Sequence, residues 1–257
     1  MSNLSTWDHV FAFAVFLIYP IYAKLTFQRT LDAIRDRGEP ARISSYKQII
    51  STWMGIAACV LVMWVLFDRD WADLGLLFPD AVPFVVGLAV SAIVISMVVI
   101  PMRKQSQSAT GARDFMNQVG EMLLFMPRTT AEESWFKAVS VNAGLVEELI
   151  FRGYLIWYLG HFVSPWWAAV VAVFLFGFGH IYQGLKMLPG ILFISAVAVT
   201  LYVYTGSLLV PVLFHIFLDG LQGHYIARIQ RLHSIVEEDN RKEKLNDDGK
   251  SKMDHQI

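Results

Sequence analysis

Residues 81–102 read AVPFVVGLAVSAIVISMVVIPM, and none of them carries a charge. A helix crossing the hydrocarbon core of a bilayer needs ~20 mostly apolar residues, so this stretch is long enough to span it. Residues 49–67, IISTWMGIAACVLVMWVLF, repeat the pattern. The run 10–23 is shorter, but Leu4, Trp7, Leu25 and Phe27 extend it to both interfaces. Further apolar runs cover 135–160, 165–182, 188–204 and 208–227. Trp7, Trp71, Trp135, Trp166 and Trp167 fall near the ends of these runs, as an aromatic belt requires. The expected fold is therefore an all-α polytopic membrane bundle of about seven spans, between six and eight.

Composition agrees. The chain of 257 residues is 55% hydrophobic, with a mean hydropathy of +0.47. A soluble domain is nearer 45–50% apolar, and here the excess comes in blocks. The 21 basic residues are balanced by 22 acidic ones, so nothing global points to nucleic acid as a partner. A single cysteine, Cys59, excludes an internal disulfide and a cysteine zinc site, and its apolar run makes it an expected buried, inert thiol. No Lys or Arg precedes Lys24, so the first run lacks the basic n-region of a signal peptide and is expected to be a retained span.

The basic residues are sorted by side. If spans alternate, nineteen of the 21 fall in loops on one side, Arg69 alone falls on the other, and Arg152 lies within a span. The positive-inside rule then puts the N-terminus outside and the C-terminus in the cytoplasm. Residues 1–236 read as one transmembrane domain without an internal repeat. Residues 237–257 are charged and nearly free of large apolar side chains, so a disordered cytoplasmic tail is expected there. Between spans, 111–126 carries an apolar stripe at Phe115, Val119, Met122, Leu123 and Met126. Such a helix either lies on the membrane surface or packs on the bundle.

The first three spans have no ionisable side chain in their interiors apart from Tyr and Cys59, whereas the last four hold Glu147, Glu148, Arg152, His180, His215 and Asp219. A charge at the bilayer centre costs at least ~2.5–3.5 kcal/mol on insertion scales, so these groups must satisfy one another or line a wet cavity. Glu148 and Arg152 are four apart and share a helix face, while Glu147 points about 100° away. One acid is thus available to the arginine and the other to chemistry. Phe176 and His180 are likewise four apart, as are His215 and Asp219, and Gly177 and Gly179 leave room for a close helix approach. These residues are compatible with structural glue, with a proton path in a transporter, or with hydrolysis. Paired Gly/Pro-broken spans in two matching halves, the sequence pointer to a transporter site, are not visible. Nor are Gly-x-Ser-x-Gly or His-Glu-x-x-His.

Glu147-Glu148-x-x-x-Arg152, Phe176-x-x-x-His180 and His215-x-x-x-Asp219, in that order, resemble the three motifs of the CAAX-protease and bacteriocin-processing (CPBP, Abi) family. The likeness covers about 126–220, including Arg152-Gly153-Tyr154 and His180-Ile181-Tyr182-Gln183-Gly184. It implies an all-helical intramembrane endopeptidase acting on a membrane-associated peptide or protein, and in some members a CAAX sequence. Other members confer bacteriocin immunity, so a non-catalytic binding protein is the alternative, and the substrate does not follow from the motifs. By this resemblance Glu147 and His180 activate water, His215 and Asp219 support the oxyanion, and Glu148, Arg152 and Phe176 hold the site. No cofactor is required, although zinc on Glu147, His180 and His215 is stereochemically feasible, since three protein ligands plus water form a catalytic zinc pattern. Asp219 stands where the family pattern most often has asparagine. The four-residue spacing favours its holding one ring nitrogen of His215 so that the other can donate. A bacterial plasma membrane, with lipid and a peptide substrate as partners, completes the expectation.

Overall fold

The computed structural model describes residues 4–254, with side chains through Glu237, and every expected apolar run is helical in it. Helix α1 covers Thr6–Arg37, α2 Glu39–Leu66 and α3 Ala81–Gln105. Helix α4 is Ala109–Val119. Helix α5 begins at Thr130–Glu148, continues through a π-helical Leu149–Leu155 and ends with Ile156–Leu159. Helices α6, α7 and α8 are Pro165–Gly179, Leu188–Thr205 and Leu209–Asp254. No strand occurs among the described residues.

Four helices are long and apolar enough to cross a membrane: α1, α2, α3 and α7, with α6 a shorter apolar helix. Three of the seven expected spans are absent from that set, α6 because it is short and the other two for a different reason. Those two are α5 and the first part of α8, whose apolar runs are interrupted by Glu147, Glu148, Arg152, His215 and Asp219. The outer surface is apolar: Leu25, Val65, Val82, Met97 and Trp166 are exposed. The interior instead encloses Asp8, Arg69, Glu132, Glu148 and Arg152. That inversion suits a bundle whose exterior solvent is lipid. It also corrects the expectation for Cys59, which lies exposed on α2. In a membrane, an apolar side chain gains as much from facing hydrocarbon as from packing inside.

Helix α5 is central, packed along α2 on one side and α8 on the other. It starts with a capping box: the Thr129 hydroxyl accepts from the Glu132 N–H at 3.2 Å, and Glu132 accepts the Thr129 N–H at 3.0 Å. Glu132 is also paired with Arg42 of α2, tying the two helices at the basic end. Gly144 permits the closest approach of α8. A Cβ there would sit 2.4 Å from Ile216 Cγ1 and 3.0 Å from the Ile216 backbone nitrogen. Gly177 does the same for α7, since a Cβ would meet Leu192 Cδ2 at 2.6 Å, whereas one at Gly179 would make ordinary contact.

The stripe at 111–126 forms α4 and a 3-10 turn at Gly120–Leu124. Ala112, Phe115 and Leu123 pack with Ile226 and Ile229 of α8, and Met122 packs with Leu31 and Ile34 of α1, so the stripe covers the bundle. The expected disorder beyond 237 is replaced by continuation of α8 to Asp254. The segment lacks proline and is rich in Glu, Lys and Arg, all good helix formers. Residues 255–257 lie outside the described residues.

Candidate active site

The carboxylates are delivered by the last turn of α5 before it widens. π-Helical turns insert one residue into the ladder and recur at functional sites. Here the turn carries Arg152 and packs against a second π-helical turn of α1, Ala14–Ile18, through Phe16 and Phe151 at 5.3 Å. Pro20 follows the α1 turn and lacks the N–H that would close a regular one. No comparable cause is evident for the α5 turn.

Within this frame the three motifs converge. Glu148 Oε1 accepts from Arg152 Nη1 at 3.0 Å and from His215 Nδ1 at 2.7 Å, with Glu148 fully buried. Arg152 Nη2 donates to the Ser195 carbonyl at 3.2 Å and to its hydroxyl at 3.1 Å. The Arg152 guanidinium lies 4.6 Å from the Phe176 ring centroid. Phe176 stacks on His180 at 4.3 Å and meets His215 edge-on at 6.4 Å. One apolar ring thus lies among three charged or polar groups.

Glu147 points elsewhere, as the 100° offset predicts. Its Oε2 lies 3.7 Å from His180 Nε2, too far for a hydrogen bond, and has no partner although buried. His180 Nδ1 is 2.8 Å from the Phe176 carbonyl. A carbonyl only accepts, so Nδ1 carries the proton and a neutral His180 presents its Nε2 lone pair toward Glu147. His215 Nε2 is 3.5 Å from Asp219 Oδ2, and Asp219 is about one-third exposed, with 35% of its side chain accessible. All four expected catalytic residues and all three supporting ones are therefore gathered in one cluster.

One detail differs from expectation. Asp219 faces one nitrogen of His215, but the other does not stay free: it is committed to Glu148. Spacing within α8 showed the first contact, and only packing against α5 shows the second. Among the described residues no group of three His, Cys, Asp or Glu side chains stands close enough to hold a metal ion. The donors are consumed in pairs instead. Three neighbours were missed from sequence: Ser195, the buried anchor of Arg152, and Tyr19 and Tyr182, both within electrostatic reach of Glu147. The signal for Ser195 was a lone serine in an apolar run.

Apolar helices enclosing a carboxylate–imidazole cluster define an integral membrane protein with a polar interior site. Residues 131–221 match the family described as type II CAAX prenyl endopeptidase Rce1-like. That stretch, about a third of the chain, is similar to this family and carries all three motifs. No curated protein and no solved structure matches the chain.

Proposed function

We propose that the protein is an intramembrane endopeptidase in which Glu147 and His180 together activate a water molecule. The observation that carries this reading is the pair of acceptors, Glu147 Oε2 and His180 Nε2, facing each other at 3.7 Å. Two acceptors at that separation can each take one hydrogen bond from the same water. The water oxygen then attacks the scissile carbonyl carbon while its proton passes to the Glu147–His180 pair. Collapse of the tetrahedral intermediate returns that proton to the leaving nitrogen, giving a carboxylate end and an amine end. Glu148, bridging Arg152 and His215, keeps the cluster aligned, and His215 with Asp219 borders the side on which the oxyanion forms. Because only His180 and Glu147 handle protons, no metal or other cofactor enters the scheme.

The substrate is a peptide or protein at the membrane, reached from the cytoplasmic leaflet. The sorting of basic residues supports that access, with the start of α5 and the tail on the cytoplasmic side, and a bacterial plasma membrane is the proposed setting. Lipid is the remaining partner, and nucleic acid has no role. The test compares cut peptide ends in membranes expressing wild-type protein or Glu147→Gln. Cut ends present only with wild type are expected. An identical set in both would end the reading.

A further inference from the structure

The packing of α4 fixes its depth in the bundle. Ala112 and Phe115 share a cluster with Met102, in the last turns of α3, and with Ile226 and Ile229 of α8. The charge-free run of α3 ends at Met102 and is followed by Arg103 and Lys104. Helix α4 therefore lies where apolar chain gives way to the basic side of the bundle, which in a bilayer is the level of the lipid headgroups.

A cavity of about 490 Å³ opens there between α4, the turn after it, the loop before α5 and the helix α8. That volume falls within the ~300–1,000 Å³ of ligand pockets. Its lining is divided: Met116, Leu123 and Leu124 supply apolar wall, and Arg113 and Arg128 supply two cations. Neither guanidinium is ion-paired with an acid among the described residues. Arg128 is nevertheless held in place. Its Nε donates to Gln230 Oε1 at 3.1 Å, and the buried Gln230 donates in turn to the Pro127 carbonyl at 3.1 Å. Both terminal nitrogens of Arg128 are left without a protein acceptor among the described residues. Partial burial and the nearby Arg42 guanidinium, itself spent on Glu132, push the Arg128 pKa below its ordinary value. The acid on the rim, Glu237, lies 3.6 Å from His233, one turn away on its own helix. An arginine free in water needs no partner, but one fixed beside a second guanidinium and an apolar wall is set to receive an anion. The guanidinium fork matches two oxygens of a phosphate at once.

We infer that this cavity binds the phosphate of an anionic phospholipid, held between Arg113 and Arg128, with the first carbons of the lipid against Leu123 and Leu124. Basic pockets between helices on the cytoplasmic side are where such headgroups lodge. The lipid then links α4 to the loop that starts α5, the helix bearing Glu147 and Glu148. This inference makes the lipid partner of the reading above specific, and it rests on the membrane placement in that reading, not on hydrolysis.

The test titrates full-length protein, purified in a neutral detergent, with phosphatidylglycerol, phosphatidylcholine or inorganic phosphate and follows the melting temperature. A ligand that binds only folded protein raises that temperature in a concentration-dependent way. Phosphatidylglycerol should give a saturating rise in wild type, and also in Lys24→Gln/Lys186→Gln, which loses the same charge elsewhere on the basic side. Arg113→Gln/Arg128→Gln should show no rise over the same range. Arg113 has no bond to lose, so Arg113→Gln alone should fold as wild type does and raise the half-saturating lipid concentration about tenfold. An unchanged titration for Arg113→Gln overturns the site. So does an equal loss in the lysine variant, which means diffuse attraction to the whole basic side. An equal rise with phosphatidylcholine overturns the anionic assignment, and a matching rise with inorganic phosphate at the same concentration overturns the lipid as occupant. No substrate is present, so none of these outcomes bears on the role of Glu147.

Discussion

Two of the buried ionic clusters along helix α5 are built to opposite ends. Near its far end, Arg69 grips Asp8 with both terminal nitrogens, at 2.8 and 2.6 Å, and neither side chain is exposed. Trp157, Phe67 and Trp64 surround the guanidinium at 4.5, 4.9 and 5.1 Å, and the Tyr154 hydroxyl donates to the Asp8 carbonyl at 3.1 Å. That cluster pins the start of α1 to the loop after α2 and to α5. Two turns away, Glu147 and Glu148 each keep one oxygen unpartnered, and the contacts of His180 and His215 to Glu147 and Asp219 are 3.7 and 3.5 Å. The first cluster spends both terminal nitrogens of Arg69 and both oxygens of Asp8 on one another and leaves only Arg69 Nε without a partner. The second holds polarity in reserve, which has an energetic cost in a low-dielectric interior and is useful only if something else binds there.

The largest effect that would break this contrast is on chemistry alone. Glu147→Gln keeps the shape and removes the base, so hydrolysis should fall by ~10²–10⁴-fold or more while the amount of folded protein stays the same. Cut-end yield per folded molecule in purified membranes measures it, and undiminished cutting would remove Glu147 from the mechanism. Arg152→Ala should show both deficits. It leaves Glu148 buried and unpaired, and it frees His215 from its alignment. Folded yield and activity should drop together, because breaking a buried pair typically costs ~3–5 kcal/mol. If only activity falls, Arg152 is a participant rather than a support.

Arg69→Ala sharpens the comparison from the other side. It removes a charge that closes a latch, so it should lower thermal stability by an amount comparable to Arg152→Ala while the surviving folded molecules cut at a near-normal rate. Detergent-solubilised protein, compared by melting curve and by activity per folded molecule, decides this. Loss of activity at unchanged stability would show that the two clusters are coupled.

The contrast also explains what sequence could and could not reveal. Local spacing exposed the site well: the pairs Glu148–Arg152, Phe176–His180 and His215–Asp219 each sit one turn apart, and all three appear as contacts. Contacts between helices were not legible. Glu148 to His215 and Arg152 to Ser195 join residues 67 and 43 apart, and nothing in the pattern names one partner over another. Asp8 and Arg69 were invisible for a similar reason: each lies near the end of an apolar run, where a charge reads as an interfacial residue. Hydropathy gave the helices but not the strict number of spans, since α5 and α8 trade apolarity for the site itself.

Asp219 offers the smallest and most discriminating change. It faces His215 Nε2 at 3.5 Å, longer than a hydrogen bond, and about a third of its side chain is accessible. Its contribution as a tight partner of the ring is therefore slight, and Glu148 already fixes the ring through Nδ1. Asp219→Asn removes a charge but keeps the size and an acceptor oxygen, and it adds an amide donor beside the place where the oxyanion forms. The variant should keep its rate within about tenfold of wild type, the equivalent of roughly 1.4 kcal/mol in the barrier. It should also be indifferent to chelator, because the water activation proposed for Glu147 and His180 uses no metal. A metal role predicts the reverse: the neutral amide is a poor ligand, so the variant would be folded but inactive, and added zinc would restore it. Assaying Asp219→Asn and wild type with and without chelator, then with zinc returned, separates the two. Restoration by zinc would replace the paired-acceptor mechanism with a metal-bound water, whereas an active variant unaffected by chelator leaves Asp219 as an electrostatic neighbour of His215.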